Sequence, residues 1–180
     1  MTLVRPETAV DVDTVEEVAR LAFGGVQVPR LLGALRESVA WLGLSYVAEH
    51  DGEVVGHVSY TRAWVDAPDR VVDVLVLSPL SVRPDRQRRG VGRALVEETL
   101  DAVRERDEPV VFLEGDPSYY RRLGWEPADR WGFTAPSVRI PGPAFQAVLL
   151  PAYETLAVKP RGALVYPDVF WRFDCVGLRD

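Results

Sequence analysis

Between Arg83 and Arg93 the chain gathers five arginines, Arg83, Arg86, Arg88, Arg89 and Arg93, around Asp85, Gly90 and Gly92. Five positive side chains and one negative leave a local charge of +4, on a chain whose net charge is −6. A cation island on an acidic background suits a small anionic ligand better than a polyanion. The surrounding pattern says how the anion would be held. An apolar run of strand type, Val71 to Val82, ends in a turn carrying Pro84. Beyond the glycines, Gly92, Leu95, Val96, Thr99, Leu100 and Val103 recur at helical spacing. Strand, glycine-rich turn and helix start make a cradle for phosphate. The first helical turn has N–H groups without intrahelical partners, its dipole end is positive, and glycine lets a ligand approach the main chain.

Other phosphate motifs are excluded by single residues. A dinucleotide fingerprint needs glycine where this chain has Leu95. A Walker loop needs Gly-Lys-Ser/Thr, which is absent. Further along, Glu114 and Asp116 close an apolar run and precede the pair Tyr119–Tyr120. His50 and His57 are the only histidines, and neither forms a nucleophile arrangement with Cys175, which reads as a buried thiol. With one cysteine, no intrachain disulfide can form. The five tryptophans, Trp41, Trp64, Trp125, Trp131 and Trp171, read as core or pocket walls.

The elements that must position these residues follow from periodicity and turn chemistry. Thr2 to Arg5 predicts a strand. A helix capped by Asp11 or Asp13 runs to about Phe23, and a second spans Val28 to Val39 with Leu31, Leu32, Leu35 and Val39 as its buried stripe. Ser45 to Glu49 and Glu53 to Val65 flank a hairpin turn at Asp51-Gly52. The strand Arg70 to Val82 carries Pro79, which cannot donate to a ladder and predicts a bulge or splay. A helix from Gly90 to Arg106 leads to a short strand, Pro109 to Leu113. Asp116-Pro117 then opens a short helix that Gly124 stops. Trp125 to Phe133, Ala144 to Leu150 and Ala163 to Tyr166 read as late strands or extended segments among six prolines. The order β-α-α-β-β-β-α-β-α-β predicts a mixed α/β sheet in one domain, residues 1–180.

Bulk composition agrees: 180 residues, 47% hydrophobic and 27% charged, suit a single globular core. The first residues lack the basic and apolar regions of a signal peptide, and no apolar run approaches the ~20 residues that span a bilayer. The expected location is cytoplasmic, with no membrane and no nucleic acid as partner.

Two stretches resemble those of the GCN5-related N-acetyltransferases (GNAT). Gln87-Arg88-Arg89-Gly90-Val91-Gly92 matches the family's acetyl-CoA motif, Gln/Arg-x-x-Gly-x-Gly/Ala. Tyr120, Gly124 and Trp125 match its second motif, a tyrosine four residues before Gly-aromatic. The motifs cover about residues 70–128, and the tail places the chain nearest the YhbS-like branch. The resemblance implies an acyl-CoA N-acyltransferase fold and transfer of acetyl from acetyl-CoA to a primary amine of a small molecule or peptide. The amine would attack directly, without a metal; a homodimer is left open.

The same resemblance distributes the roles. The pyrophosphate would lie on the N–H groups of Arg88, Arg89, Gly90, Val91, Gly92 and Arg93, and Arg83, Arg88 or Arg89 would meet the 3′-phosphate. The pantetheine arm would run beside Leu80, Ser81 and Val82, where a main-chain N–H would polarise the acetyl carbonyl. Tyr120 would protonate the leaving thiolate, and Tyr119 would pack or touch substrate. The base is open among Glu114, Asp116, Asp73, His57 and a water chain. Many family members carry asparagine after the fifth strand, where this chain has Gly115-Asp116-Pro117, and the central-strand position of a glutamate base is apolar here, near Val76. A non-catalytic acyl-CoA sensor of the same fold is the competing reading.

Overall fold

The computed structural model describes residues 2–177. The chain divides into two compact units, Met1–Thr61 with Leu77–Ala102, and Arg62–Val76 with Val103–Asp180.

In the first unit the strands β1 (Thr2–Pro6) and β2 (Trp41–His50) and the opening of β3 (Glu53–Asp66) form an antiparallel meander. The turn Asp51-Gly52 joins β2 to β3 as a two-residue hairpin, closed by the pair His50↔Glu53. The later residues of β4 (Val71–Val82) complete the order β1-β2-β3-β4. The helices α1 (Val12–Phe23) and α2 (Gln27–Arg36) turn apolar stripes inward, and Val15, Ala19, Val28 and Leu32 bury against Val47. Helix α2 is shorter than its periodicity predicts. It ends at Arg36, and Val39, expected on the buried stripe, is 82% exposed. Ser38 bonds its hydroxyl back to the Leu35 carbonyl, a local bond that competes with helix continuation. Helix α3 (Val91–Val103) buries Val91, Leu95, Val96, Thr99 and Val103. The Thr99 hydroxyl donates to the Leu95 carbonyl (2.6 Å), so the Tyr60 hydroxyl donates to Thr99 (2.7 Å).

In the second unit the early residues of β4 pair in parallel with β5 (Val110–Glu114) through Leu75↔Val111 and Val76↔Phe112. Pro79 lies beyond the last rung, and β4 runs through it as a strand. After α4 (Pro117–Tyr120), the strands β8 (Phe145–Leu149) and β6 (Glu126–Pro127) extend the order to β4-β5-β8-β6, and β7 (Phe133–Thr134) lies off this path. Two short helices, α5 (Pro151–Thr155) and α6 (Asp168–Arg172), lie between and after the late segments that the sequence predicts as strands or extended chain. Helix α5 starts on Pro151, whose fixed φ suits the first helical position, and α6 follows Pro167 at its N-cap. Strand β9 (Gly162–Val165) pairs antiparallel with the end of β3 and parallel with β7. Phe112 anchors this core, edge-on to Phe133 (4.9 Å) and stacked on Phe145 (5.4 Å). Parallel and antiparallel pairs together make the mixed α/β sheet that the element order predicts.

Candidate functional site

The arginine island folds as a turn over residues 87–90 followed at once by α3. Gly90 adopts φ +85, and nothing lies within 4 Å of where its Cβ would stand, so the main chain is open to a ligand there. Ala94 N–H closes the first helical bond onto Gly90 (2.9 Å). The preceding N–H groups of Val91 and Gly92 therefore lie in the first turn, where donors have no intrahelical partner. Arg88 is left-handed at φ 59, a conformation costly for a residue with a Cβ and one that clusters at functional sites.

Ion pairing sorts the arginines. Arg83 grips Asp85 through two bonds of 2.7 Å and reaches Glu53 at 3.3 Å. The hydrogen bonds that Arg83 donates to Asp85 raise the Arg83 pKa further, and its guanidinium is engaged within the protein. Arg86 faces Asp85 (3.6 Å), and Arg93 holds Glu97 one turn on (2.9 Å). Arg88 and Arg89 are exposed and have no ion-pair partner among the described residues. The +4 island thus reduces to two cations available to an outside anion, and Arg83, expected as one of three candidates, has its charge met by Asp85. The preceding residues Leu80, Ser81 and Val82 lie on β4; Ser81 is buried, with its hydroxyl unpartnered.

In the second unit, Asp116 caps α4 by accepting from the Ser118 N–H (2.8 Å), which lowers its pKa. A carboxylate committed to a cap is a poor base. The cap starts the turn that delivers Tyr120. Its ring meets Tyr119 edge-on (4.9 Å) and Trp125 at 6.0 Å. Burial, and then the neighbouring Tyr119, push the Tyr120 phenol well above its usual value, so its proton is retained at neutral pH. Tyr119 is 38% exposed.

Glu114, the last residue of β5, is half-buried. Its carboxylate accepts from the Gly177 N–H (2.9 Å) and from the Tyr166 hydroxyl (3.4 Å). Burial raises its pKa despite these donors and the positive Arg139. Its proton affinity is thus increased, whereas that of Asp116 is lowered. Asp73 is exposed, faces Arg62 at 3.5 Å, and lines an open cavity of about 640 Å³ with Arg70, Arg106 and Glu108. His57 lies on the first unit's β3, fully buried, with Nε2 2.8 Å from the Ser45 hydroxyl. The hydroxyl in turn reaches Glu7, which Arg36 holds at 2.7 Å. Glu7 is charged and acceptor-only, so the Ser45 proton points to it. Ser45 then accepts from His57 Nε2–H, leaving Nδ1 bare and unpartnered. Burial lowers the pKa of His57 and keeps it neutral.

Sequence reasoning missed the Glu7–Ser45–His57–Arg36 cluster and the Gly177 and Tyr166 bonds to Glu114. These partners lie 12 to 63 residues apart, and no local pattern announces them. Two minor expectations are corrected. Cys175 is half-buried, its thiol toward the Phe173 carbonyl, because it follows the final helix rather than lying in a strand. Of the tryptophans only Trp125 is fully buried, while Trp171 is 42% exposed beneath Arg139.

Residues 4–128 match the acetyltransferase (GNAT) domain. The uncharacterized N-acetyltransferase YjhQ of Escherichia coli K12 is 34% identical over 128 residues, 70% of this chain and 71% of that protein. The uncharacterized N-acetyltransferase YhbS of the same organism is 32% identical over 125 residues, 69% of this chain and 73% of its own. The crystal structure of E. coli YhbS in complex with CoA superposes with a TM-score of 0.83 at 28% identity, covering 96% of this chain and 93% of that one. A GNAT acetyltransferase from Brucella melitensis in complex with acetyl-CoA gives 0.74 at 27% identity, covering 94% and 98%. The open glycine turn at the start of α3 and the tyrosine before Gly124-Trp125 stand within a match that spans well over half the chain, and the chain belongs to the GNAT acetyltransferase family.

Proposed function

We propose that this protein transfers an acetyl group from acetyl-CoA to a primary amine of a small molecule or peptide. The observation that carries the reading is the turn before α3. It has an open Gly90 at φ +85, the first-turn N–H groups of Val91 and Gly92, and Arg88 and Arg89 exposed without ion-pair partners among the described residues. These features suit a pyrophosphate on the helix start and a 3′-phosphate on a guanidinium. The pantetheine arm takes backbone hydrogen bonds along Leu80, Ser81 and Val82. A main-chain N–H there polarises the thioester carbonyl.

The neutral amine attacks the carbonyl carbon, the C–S bond breaks, and the amine proton passes to a base. Glu114 is the base this reading favours, since burial has raised its proton affinity. Tyr120 is the acid. Its raised pKa keeps the phenol protonated, and also makes full transfer to a thiolate uphill, since thiols titrate near ~8.5. Tyr120 therefore acts first by hydrogen-bonding to sulfur as charge develops, with protonation following.

The test is thiol release from acetyl-CoA across a panel of amines, aminoglycosides, amino acids and peptides, alongside calorimetric titration with coenzyme A. Binding with amine-dependent release supports the enzyme. Binding without release for any amine favours a non-catalytic acyl-CoA sensor. Absence of binding overturns both.

A further inference from the structure

Gly115 has no left-handed φ, so its backbone is one that any residue adopts. What excludes a side chain there is Tyr120. A Cβ on Gly115 would stand 2.9 Å from ring atom Cδ2 and closer still to Cε2. The ring of Tyr120 lies directly on the Gly115 main chain. That main chain is fixed from β8. The Gly115 N–H donates to the Ala144 carbonyl (3.0 Å), and the Gln146 side-chain amide donates to the Gly115 carbonyl (3.2 Å). Gln146 is 1% exposed, so it has little freedom to follow a displaced carbonyl. From the other side the Tyr120 backbone is tied by its own N–H to the Asp116 carbonyl (3.1 Å) and by its carbonyl to the Trp125 N–H (3.2 Å).

Resting on the reading of Tyr120 as the acid, we propose that Gly115 is a positioning residue and Gln146 its support. Together they form a seat that sets where the Tyr120 hydroxyl stands. A single methyl at Gly115 leaves every backbone bond in place and drives the ring off its seat. The displacement, on the order of 1 Å, is of a size that costs about 10²-fold in a reaction dependent on alignment.

The experiment uses the full chain and four variants: Gly115→Ala, Tyr120→Phe, their double, and Gln146→Met. Single-turnover acetyl transfer and the KM for acetyl-CoA are measured. Ring resonances are followed in tyrosine-labelled protein, with Tyr120→Phe assigning the signal. Gly115→Ala is expected to move the Tyr120 resonance, to lower the single-turnover rate roughly 10²-fold, and to leave the KM for acetyl-CoA within about twofold. The double variant should be no slower than Tyr120→Phe alone, because the methyl acts only through the hydroxyl. Gln146→Met should lower the rate by roughly tenfold in the same manner, and serves alone if Gly115→Ala does not fold.

A resonance and a rate that Gly115→Ala leaves unchanged, while Tyr120→Phe is slow, overturn the seat and spare the acid. An equal further loss when Gly115→Ala is added to Tyr120→Phe also overturns it. If Tyr120→Phe turns over like the parent, the acid reading falls, and the seat's catalytic use falls with it.

Discussion

The arginine turn of the first unit and the short tyrosine-bearing helix α4 of the second each follow a strand, yet they are built in opposite ways. Residues 87–90 are exposed, and they present main-chain N–H groups and two guanidinium groups with no ion-pair partner among the described residues. Around Tyr120 the proposed chemistry rests on one side-chain hydroxyl, whose ring packs on Gly115, Tyr119 and Trp125. A backbone-built site tolerates many side chains and fails when the backbone is obstructed. A site built on one side chain fails when that atom is removed or shifted. Chemistry that needs a proton at a fixed point belongs to the second kind, and recognition of a diffuse phosphate charge belongs to the first.

The sharpest way to break this contrast is Tyr120→Phe. The ring, its packing and acetyl-CoA binding should persist, while the single-turnover rate falls by roughly 10²–10⁴. Tyr119→Phe, an exposed neighbour, should cost little. The reverse outcome would move the acid by one residue. The pH profile sharpens the same point. Because burial raises the Tyr120 phenol, its deprotonation should not set the alkaline limb of the rate profile below pH 10. A limb that Tyr120→Phe abolishes in that range would contradict it.

Next in size is Gly90→Val. A β-branched side chain is strained at φ +85 and would occupy the space now open to ligand. Coenzyme A affinity should drop by roughly 100-fold, about 2.7 kcal/mol, when measured by calorimetry. Undiminished affinity would mean the phosphates lie elsewhere.

Smaller again are Arg88→Ala and Arg89→Ala. The variant that has lost the 3′-phosphate contact should weaken coenzyme A by about 10-fold or more, and dephospho-coenzyme A much less. Arg83→Ala should discriminate less between the two ligands, since its charge is already met by Asp85 and Glu53. Equal losses on both ligands for all three would remove the 3′-phosphate from this turn.

The last prediction concerns stability. Burial pushes the Glu7 carboxyl up, but hydrogen bonds from His57 and Ser45, and the charge of Arg36, hold it at about 2. With an unfolded value near ~4.3, Glu7 adds stability above that pH and loses it as pH falls toward 2. His57, kept neutral by burial, adds stability above its unfolded value near ~6.5 and loses it below. The melting temperature should therefore fall on acidification from pH 7 to 3. Glu7→Gln should flatten the fall below about pH 4.3 and cost ~1–3 kcal/mol at neutral pH. Parallel curves for parent and variant would show that Glu7 does not titrate with folding.

The sequence by itself determined what is local. The helical spacing after Gly92, the two-residue turn at Asp51-Gly52, the Asp116-Pro117 cap and the glycine pair before a helix are each written within a few residues, because turn and cap energetics act over that range. The arginine cluster was equally legible as a charge excess. Tertiary structure decided which of those charges were left over. Asp85 meets Arg83 within the turn itself, but the contact of Arg83 with Glu53 comes from a strand thirty residues away. It also decided why position 115 carries glycine, since the obstacle is a ring five residues on that local folding brings back over the main chain. Nor did spacing announce the bonds from Tyr166 and Gly177 to Glu114, or the burial of His57 against Ser45 and Glu7. Proton affinity depends on which distant groups exclude water and which donate, and those neighbours are set only when the chain packs.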